Sequence, residues 1–253
     1  MTDHILIERP ESAPGVQVIR LNRADKKNAI TRAMYQAMTD ALKAGDADES
    51  VRATLILGSA GCFSAGNDMN DFLAFAMGGT MGREVIDFLH ALATHAKPLV
   101  SGVDGLAIGI GTTIHLHCDL TYASTRTEFR TPFVDLALVP EAASSLLAPR
   151  LMGHQRAFAL LAAGEGFSAE AARDAGLVYA VVEPAAVEDE ALAAARRLAA
   201  KPPQALSIAR SLIRGTRADV SARIDEEAAH FSAQLKSPEA RAAFEAFMAR
   251  GKS

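Results

Sequence analysis

Two apolar runs, each followed by a glycine-rich loop, constrain the fold of this chain more than any other feature of its sequence. Ala53–Leu57 and Leu99–Val103 are rich in β-branched and aliphatic residues, so each predicts a short buried strand. The first run leads into a loop over residues 58–66, and the second leads into a loop and helix over residues 105–117. A strand that passes through a glycine-rich connection to a helix is typical of α/β proteins, and here it occurs twice.

The residues before the first loop extend the same alternation. The β-rich runs 5–7 and 16–19, joined through a turn at residues 10–15, predict a hairpin. Thr31 is the predicted N-cap of a helix whose apolar residues recur at helical spacing, and Gly45 is its predicted stop. The chain is therefore expected to begin as two strands and a helix.

The residues after the first loop repeat the pattern. A helix is predicted over residues 83–95 and a strand over residues 120–123. Ser168 is the predicted N-cap of a short helix that ends at Gly176, and a last strand is predicted over residues 177–182.

The C-terminal quarter has a different composition. From Val187 onward, alanine-rich amphipathic segments follow one another, punctuated by prolines and glycine, and no strand pattern occurs. We therefore predict an α/β core over residues 1–195 and a helical region over residues 196–253. No low-complexity linker separates the two.

Composition narrows the classes of partner. Of the 253 residues, 26 are Lys or Arg and 30 are Asp or Glu, for a formal net charge of −4. Positive and negative residues are interleaved along most of the chain, which argues against a nucleic-acid partner, since such proteins carry a basic excess or a dense basic stripe. The two cysteines do not make a disulfide framework, so we expect a reducing compartment.

The N-terminal sequence and the hydropathy favour a cytoplasmic protein. The sequence MTDHILIERPES has acids and a proline where a signal peptide has a basic start and an apolar run. The most apolar stretch, residues 99–116, is interrupted by Asp104, several glycines and His115, which argues against a membrane span. The final GKS also differs from the peroxisomal signal SKL. We expect a cytoplasmic location and no membrane partner.

The two glycine-rich loops are the first candidate sites. Small residues let the backbone approach a ligand closely, and glycines that open a helix leave N–H groups free for an oxyanion or a phosphate. A nucleotide-phosphate loop is disfavoured, because Ile114 stands where a dinucleotide motif has its third glycine and no Walker lysine follows. The alternative for the first loop is a tight connection in which Asn67 or Asp68 caps a helix.

Two further patterns contain residues capable of acid–base or ligand chemistry. Glu141 is predicted in the first turn of a helix that runs towards Leu147, where a carboxylate complements the helix dipole. A catalytic glutamate would instead need a largely apolar pocket. His115 and His117 do not predict a metal site, because residues i and i+2 of a helix point about 200° apart, and we interpret them as packing or intersubunit contacts.

Five ordered segments carry a resemblance to a known family. They are LNRADKKNAIT from Leu21, GCFSAGNDM from Gly61, KPLVSGVDGLAIGIGTTIHLHCDLTYAS from Lys97, FRTPFVDLALVPEAASSLLAPRLMG from Phe129 and GEGFSAEAARDAGLV from Gly164. Together they resemble the crotonase (enoyl-CoA hydratase/isomerase) family across essentially the whole chain. The resemblance implies the α/β crotonase (ClpP-like) spiral of repeated β-β-α units, with C-terminal helices that assemble a homotrimer or a dimer of trimers. It also implies an acyl-CoA thioester substrate, of which coenzyme A is a part, and no further cofactor or metal.

The resemblance assigns two backbone groups to catalysis. By motif position, the N–H groups of Asn67 and Ile110 are expected to form an oxyanion hole for the thioester carbonyl. Because the donors are backbone groups, Ile110 is compatible with this role in a place often held by glycine. Such donors each stabilise the charged intermediate by about 3 to 4 kcal/mol in other enzymes.

The acidic residues distinguish the reactions of the family. The hydratase pattern has one glutamate where this sequence has Thr113 and another where it has Phe133, and neither residue ionises. Glu141 lies in LVPEAASS, which is similar to the segment that carries the single glutamate of monofunctional 3,2-enoyl-CoA isomerases. We therefore expect Glu141 to move a proton from C2 to C4 of a 3-enoyl-CoA, with the dienolate held by the Asn67 and Ile110 N–H groups.

The resemblance also implies contacts with coenzyme A and with the acyl chain. The expected coenzyme A contacts are Lys26, Lys27 and Ala65, joined by Phe247 and Arg250 of the closing helix on a neighbouring subunit. The expected acyl-pocket residues are Phe72, Phe75, Thr113 and Phe133. The alternative for each charge is a solvated surface residue, and the alternative for each aromatic is core packing.

Two other classes of function stay open at the level of sequence. The first is a different crotonase reaction, such as hydration, thioester hydrolysis or decarboxylation. The second is a non-catalytic acyl-CoA-binding protein that has kept the fold and the oxyanion loops.

Overall fold

Two β-sheets and a set of helices make up the part of the chain that the computed structural model describes, residues 2–78 and 82–250. The side chains of residues 75–78 and 247–250 also lie outside the described part. The strands are β1 (Ile5–Glu8), β2 (Val16–Leu21), β3 (Ala53–Leu57), β4 (Cys62–Ser64), β5 (Leu99–Val103), β6 (Leu106–Ile108), β7 (Leu120–Ser124), β8 (Glu128–Arg130), β9 (Phe167–Ser168) and β10 (Ala180–Val182).

The α-helices follow the strands in alternation and then fill the C-terminal quarter. They are α1 (Arg32–Ala47), α2 (Met69–Gly78), α3 (Arg83–Thr94), α4 (Ile110–Thr113), α5 (Ser144–Met152), α6 (His154–Leu161), α7 (Ala169–Asp174), α8 (Val187–Ala199), α9 (Pro203–Arg214), α10 (Arg217–Leu235) and α11 (Pro238–Arg250). Short 3-10 helices occur at Ala24–Lys26, Ile114–His117, Val134–Leu136 and Pro184–Ala186. Within the described ranges, no helix combines the length and the apolar character that crossing a bilayer requires.

The larger sheet has the strand order β1-β2-β3-β5-β7-β10. The β1–β2 hairpin is antiparallel, as predicted, and every other neighbouring pair is parallel. Every residue of β3 and β5 is buried, as near-continuous apolar runs in a parallel sheet require. Helix α8 packs on β3, β5 and β7.

A second sheet has the order β4-β6-β8-β9, and its first two strands lie where the sequence predicted loops. Strand β4 interrupts the loop at residues 58–66, and β6 interrupts the segment 105–117, so the prediction of continuous loops was wrong. These strands have only two or three residues each. Runs this short show no periodicity, and only pairing with distant strands makes them recognisable.

The chain passes three times from the larger sheet to the smaller sheet and then into a helix. The three passages are β3-β4-α2, β5-β6-α4 and β7-β8, which reaches α5 through a 3-10 turn. This arrangement confirms the predicted α/β spiral of β-β-α units. The beginning of each helix therefore lies near the edge where strands of the smaller sheet end.

Helix α1 begins as predicted and ends later than predicted. The Thr31 Oγ1 accepts the N–H of Met34 at 3.3 Å, which caps the helix. The predicted stop at Gly45 was wrong, because the helix continues to Ala47. A Cβ at Gly45 would lie 2.7 Å from the Gln17 Nε2, so glycine serves close packing there and does not end the helix.

The last predicted strand, over residues 177–182, is shorter in the structure. Strand β10 contains only Ala180–Val182. Leu177 and Val178 are buried, but both donate their N–H groups to the Ala172 carbonyl at the end of α7. The first residues of this apolar run thus bond to the end of α7, and the last three form strand β10.

The C-terminal helices cover elements of the same chain. Phe72 of α2 packs against Phe231 of α10 and Phe244 of α11, with ring centroids 5.9 and 5.0 Å apart, respectively. Helix α10 also packs on α3 and α5, and α11 packs on the 134–136 turn. The boundary placed at residue 195 falls inside α8, and the division into two regions stays a prediction.

Candidate active site

The two glycine-rich loops pack backbone against backbone. Gly66 has a φ of +89°, and a Cβ there would lie 2.9 Å from the Ile108 carbonyl oxygen. A Cβ at Gly111 would lie 2.8 Å from the Ser64 carbonyl oxygen. Contacts this short leave no room for a side chain, so each loop has glycine where the other passes. The two loops predicted to bind an oxyanion are therefore neighbours in space.

The N–H of Asn67 is free because the hydrogen bonds to Ile30 are made by its neighbours, Gly66 and Asp68. Ile30 donates its N–H to the Gly66 carbonyl at 2.8 Å and accepts the Asp68 N–H at 2.9 Å. In such a parallel bridge, the N–H of the middle residue points away from the partner. Among the residues that the structure describes, none accepts a hydrogen bond from the Asn67 N–H.

Ile110 provides the second free N–H, as the first residue of α4. The first N–H groups of a helix have no acceptor within the helix. Gly109, with φ 57° and ψ −122°, turns the chain into α4, and its carbonyl accepts the N–H groups of Thr112 and Thr113 at 2.8 and 3.0 Å. The Ile110 N–H has no acceptor in residues 2–78 and 82–250. Two unpaired N–H groups on adjacent loops are suited to binding an oxyanion.

Glu141 lies beside the helix that begins with the free Ile110 N–H. Its side chain is buried, and the residue is 3% exposed. Thr113, at the end of α4, donates its Oγ1 hydrogen to the Glu141 Oε1 at 2.5 Å. Since Thr113 is three residues after Ile110, both lie on the same side of this short helix. The bond therefore places a carboxyl group next to the loop that carries the free Ile110 N–H.

The environment of Glu141 changes its affinity for a proton. Burial raises the pKa of the carboxyl from 4.5 to about 8; the Thr113 hydrogen bond opposes this increase, and the charge of Glu227 adds to it. A carboxyl group with a pKa near neutrality can both accept and return a proton under ordinary conditions. This property is what general acid–base catalysis requires.

Glu141 does not lie in the first turn of a helix, so that prediction was wrong. Helix α5 begins at Ser144, and the intervening Ala142 and Ala143 have φ values of 62° and 54°. Two successive residues in the left-handed region turn the chain sharply between Glu141 and the helix. The carboxylate therefore does not complement the dipole of α5.

Comparison with known proteins identifies the family of this chain. Residues 11–253 match the family described as enoyl-CoA hydratase/isomerase. The chain belongs to this family. The match confirms the resemblance that the five sequence segments indicated.

Proteins that are named for different reactions are similar to this chain. Enoyl-CoA delta isomerase 2 of Rattus norvegicus is 36% identical over 222 residues, which cover 85% of this chain and 56% of the rat protein. The 2,3-dehydroadipyl-CoA hydratase of Escherichia coli strain K12 is 30% identical over 199 residues, which cover 79% of this chain and 78% of that protein. The chain spans only about half the length of the rat relative. Both an isomerase and a hydratase are therefore among its relatives.

A solved structure of similar sequence has the same fold. The structure of Pseudomonas aeruginosa OdaA is 41% identical, with a TM-score of 0.91, and the match covers 98% of this chain and 99% of that chain. The two chains thus share one fold over nearly their whole length.

Tyr35 is a residue of the site that the sequence did not reveal. It is buried on α1, and its hydroxyl donates to the Asn67 Oδ1 at 2.5 Å. Burial, followed by the charge of Glu141, raises the pKa of Tyr35 well above its usual 10, so the phenol stays a neutral donor. The bond holds the residue that carries the first free N–H. The only signal in the sequence is a tyrosine beside the apolar face of a predicted helix.

Glu227 is a second buried acid close to the site, and it was also missed. It lies on α10, where its Oε1 accepts the Ser145 N–H at 2.9 Å and the Ser145 Oγ hydrogen at 2.5 Å. Arg223 donates to the same serine hydroxyl at 3.0 Å. Glu227 therefore acts as an N-terminal cap of α5 supplied by another helix. No local pattern marks this role, because it depends on α10 crossing α5.

The residues expected to bind coenzyme A lie partly together. Lys26 and Lys27 are exposed, and the Lys27 carbonyl accepts the Ala65 N–H at 2.9 Å. Both lysines therefore lie beside the first glycine loop, and the Ala65 N–H is already bonded within the protein. The side chains of Phe247 and Arg250 lie outside the described residues, and coenzyme A contact stays a prediction for all five.

The residues expected to line the acyl pocket have separate surroundings. Thr113 contacts Glu141, as described above. Phe72 belongs to the aromatic cluster with α10 and α11, and Phe133 is buried at the start of the 134–136 turn. The Phe75 side chain lies outside the described residues. Contact with an acyl chain stays a prediction for these residues.

The two histidines pack in the protein interior, as expected. The His115 ring contacts Phe63 and Phe129, with centroids 4.7 and 5.6 Å apart. The His117 Nε2 lies 2.8 Å from the Ala142 carbonyl oxygen. Burial lowers the pKa of His115 to about 3 and that of His117 to about 4, so both rings are neutral. In the described ranges, histidine, cysteine and acidic side chains form no cluster able to hold a metal.

Proposed function

We propose that this chain converts a 3-enoyl-CoA thioester to the 2-enoyl-CoA thioester, with Glu141 as the only acid–base group. The observation that carries the proposal is the buried Glu141 carboxyl. Its pKa is raised to about 8, and it is bonded to the helix that begins with the free Ile110 N–H. A single group that can take up and release one proton is sufficient for a double-bond shift.

The reaction uses the arrangement in two steps. The Asn67 and Ile110 N–H groups bind the thioester oxygen, while ionised Glu141 removes a proton from C2. The electron pair spreads over C2, C3, C4 and the oxygen as a dienolate, which the two N–H groups stabilise. Protonated Glu141 then returns the same proton to C4, and the double bond lies between C2 and C3. No water, metal or redox cofactor enters the balance.

The residues near Glu141 favour isomerisation over hydration. Hydration needs an activated water in addition to proton transfer at the α carbon, and the hydratase pattern supplies two glutamates. Here Thr113 and Phe133 stand in those places. The Thr113 hydroxyl is already engaged with Glu141.

The assembly and the location belong to the same proposal. We expect a homotrimer or a dimer of trimers in the cytoplasm, with coenzyme A phosphates near Lys26 and Lys27. Exposed apolar side chains on α9, Leu212 and Ile213, support burial against a second copy of the chain.

The test follows the conjugated thioester formed from 3-hexenoyl-CoA by its absorbance. We expect turnover by the natural sequence and a fall in kcat of about a thousandfold or more for Glu141→Gln, which cannot take a proton. Glu170→Gln, a change of the same type at an exposed residue of α7, is the control and should keep the natural rate.

Other outcomes would identify a different function. Hydration of crotonyl-CoA without isomerisation would place the chain with the hydratases. Binding of acyl-CoA measured by calorimetry, with no turnover of any thioester, would indicate a non-catalytic protein. An unchanged rate in Glu141→Gln would contradict the assignment of the base.

A further inference from the structure

His117 connects the turn after Glu141 to the segment that carries the Ile110 N–H. That segment is α4 continued by the 3-10 helix that follows it. Ile110 begins the segment, Thr113 donates to the Glu141 carboxyl at 2.5 Å, and His117 at its end places its Nε2 2.8 Å from the Ala142 carbonyl oxygen. One helical segment therefore contacts the side chain of the glutamate and the carbonyl of the residue that follows it.

The direction of the His117 hydrogen bond is defined by its partner. A carbonyl oxygen only accepts, so the His117 Nε2 carries the hydrogen. His117 is 2% exposed, and burial lowers the pKa of its ring to about 4. Arg214 of α9 adds to this decrease, and it is itself paired with Asp119. The ring is therefore a neutral donor throughout the pH range in which Glu141 titrates.

The turn after Glu141, which His117 contacts, has a backbone conformation that its alanine residues do not favour. Ala142 and Ala143 are fully buried, and both have left-handed backbone conformations. Such conformations place the Cβ of an L residue too close to its own backbone, so surrounding contacts must stabilise them. Besides the His117 bond, the Glu141 carbonyl accepts the Ser144 N–H at 3.0 Å, the Ala143 carbonyl accepts N–H groups of α5, and the Ala143 backbone interacts with the Glu227 carboxyl. Of these contacts, only the His117 bond joins the turn to the segment that begins with Ile110.

We infer that His117 is a positioning residue that sets the place of the Glu141 carboxylate relative to the oxyanion donors. The inference rests on the proposed function for the role of Glu141 as the base. Without the His117 bond, the turn is expected to relax, and Glu141 would separate from Thr113 and gain contact with water. A displaced base reacts less often, since misplacement by about 1 Å costs about a hundredfold in rate.

The experiment compares two substitutions at this position. Glutamine carries an amide N–H at nearly the reach of the histidine Nε2, whereas leucine has no donor. We expect His117→Leu to lower kcat for 3-hexenoyl-CoA by about 30- to 100-fold with KM within about threefold, and His117→Gln to restore most of the rate. The control is His115→Leu, which removes a buried ring of the same 3-10 helix that does not contact the Glu141 turn.

A second measurement does not depend on turnover. The pKa of Glu141 is read from the carboxyl ¹³C shift of labelled protein, assigned by comparison with Glu141→Gln. We expect a value near 8 for the natural sequence and for His117→Gln, and a lower value for His117→Leu because Glu141 gains solvent. The other titratable groups facing Glu141, Tyr35 of α1 and Glu227 of α10, are unchanged in all variants.

The two measurements separate failure of the inference from failure of the proposed function. If the natural sequence does not isomerise 3-enoyl-CoA, the proposed function fails, and the pKa comparison still tests His117. An unchanged Glu141 pKa in folded His117→Leu would overturn the inference. Equal loss of kcat in His117→Leu and His117→Gln, or in His117→Leu and His115→Leu, would also overturn it.

Discussion

At the scale of single residues, the proton affinity of Glu141 results from opposing influences. Burial raises its pKa from 4.5 to about 8, while the hydrogen bond from Thr113 stabilises the ionised form and holds the increase back. Tyr35 stays protonated and bonds Asn67, so it does not compete for the proton. The ionised Glu141 carboxylate is therefore abundant only as the pH approaches 8.

Replacing Thr113 is expected to shift the pH profile. Thr113→Val keeps the shape of the side chain and removes the hydrogen bond to the carboxylate, so the pKa of Glu141 should increase further. We expect the rising limb of kcat/KM to move upward by about one pH unit, with about tenfold lower activity at pH 7. The measurement is the rate of 3-hexenoyl-CoA conversion between pH 6 and 10.

Thr127→Val is the matched control for that change. The Thr127 hydroxyl is also buried, and it donates to the Val103 carbonyl at 3.0 Å in a turn between strands. Its loss should lower stability without moving the pH profile. A profile that stays in place for Thr113→Val, or that moves equally in both variants, would contradict the role of the Thr113 bond.

The raised pKa of Glu141 also predicts how stability depends on pH. The folded protein binds this proton more tightly than the unfolded chain, so the stabilisation is complete below pH 4.5 and is lost as the pH rises through about 8. Glu141→Gln cannot ionise and escapes this loss. The free energy of unfolding of Glu141→Gln minus that of the natural sequence should therefore increase from pH 5 to pH 9, by on the order of 3 to 5 kcal/mol. Urea unfolding at the two pH values measures the change, and a constant difference between the proteins would refute it.

At the scale of elements, the site depends on how closely two loops approach. Each loop follows a strand of the smaller sheet, and β4 pairs with β6 in parallel. Gly66 and Gly111 allow contact between the two backbones, which brings the Asn67 and Ile110 donors to the same edge. The spacing of the donors is thus a property of the paired strands.

A methyl group at Gly66 should damage this spacing. Gly66→Ala places a Cβ 2.9 Å from the Ile108 carbonyl oxygen and also puts alanine at a φ of +89°. We expect kcat to fall about a hundredfold as the Asn67 N–H is displaced. Gly153→Ala controls for the backbone strain, since Gly153 has a φ of +78° and nothing lies within 4 Å of its Cβ position.

The comparison of these two glycine variants separates strain from crowding. Both should lose about 1 to 3 kcal/mol of stability because alanine is forced to a positive φ, and only Gly66→Ala should lose activity. Chemical denaturation and steady-state kinetics provide the two measurements. Equal activity in Gly66→Ala and Gly153→Ala would show that activity does not depend on the close approach of the two loops.

At the scale of the whole molecule, apolar surface and local charge indicate how the chain meets its partners. On α9, Leu212 is 79% exposed and Ile213 is 85% exposed, and Ile213 borders a groove of about 250 Å³. Exposed apolar groups of this size are typical of interfaces. The net charge of −4 does not conflict with an anionic cofactor, because coenzyme A meets only local cations, here proposed as Lys26 and Lys27.

A charge on α9 is expected to weaken assembly. Ile213→Asp would bury a carboxylate in the proposed contact between copies, so the protein should sediment near 26.7 kDa instead of about three or six times that mass. Ile7→Asp, at a 47% exposed residue of β1, is the control and should leave the mass of the assembly unchanged. Analytical ultracentrifugation measures both. A natural sequence that sediments as a single chain would refute the trimer.

Local patterns in the sequence were sufficient for much of this protein. The runs Ala53–Leu57 and Leu99–Val103 are long and apolar enough to identify central strands. Thr31 identifies the start of a helix because its side chain accepts an N–H from a residue three positions later. The ordered segments around Asn67 and Glu141 were sufficient to recognise the family. These features depend on residues that are adjacent in the chain, which is why a sequence contains them directly.

Tertiary structure alone decided the remainder. Tyr35 contacts a residue 32 positions away, and His117 contacts the turn after Glu141 at a distance of 25 positions. The strands of the second sheet pair residues 22 to 44 positions apart, and the Glu227 cap spans 82 positions. The proton affinity of Glu141 likewise depends on burial by several elements. Such contacts have no local pattern because each depends on where distant segments meet. The sequence therefore determined the fold and the candidate base, and packing determined how the Glu141 carboxyl is held and how tightly it binds a proton.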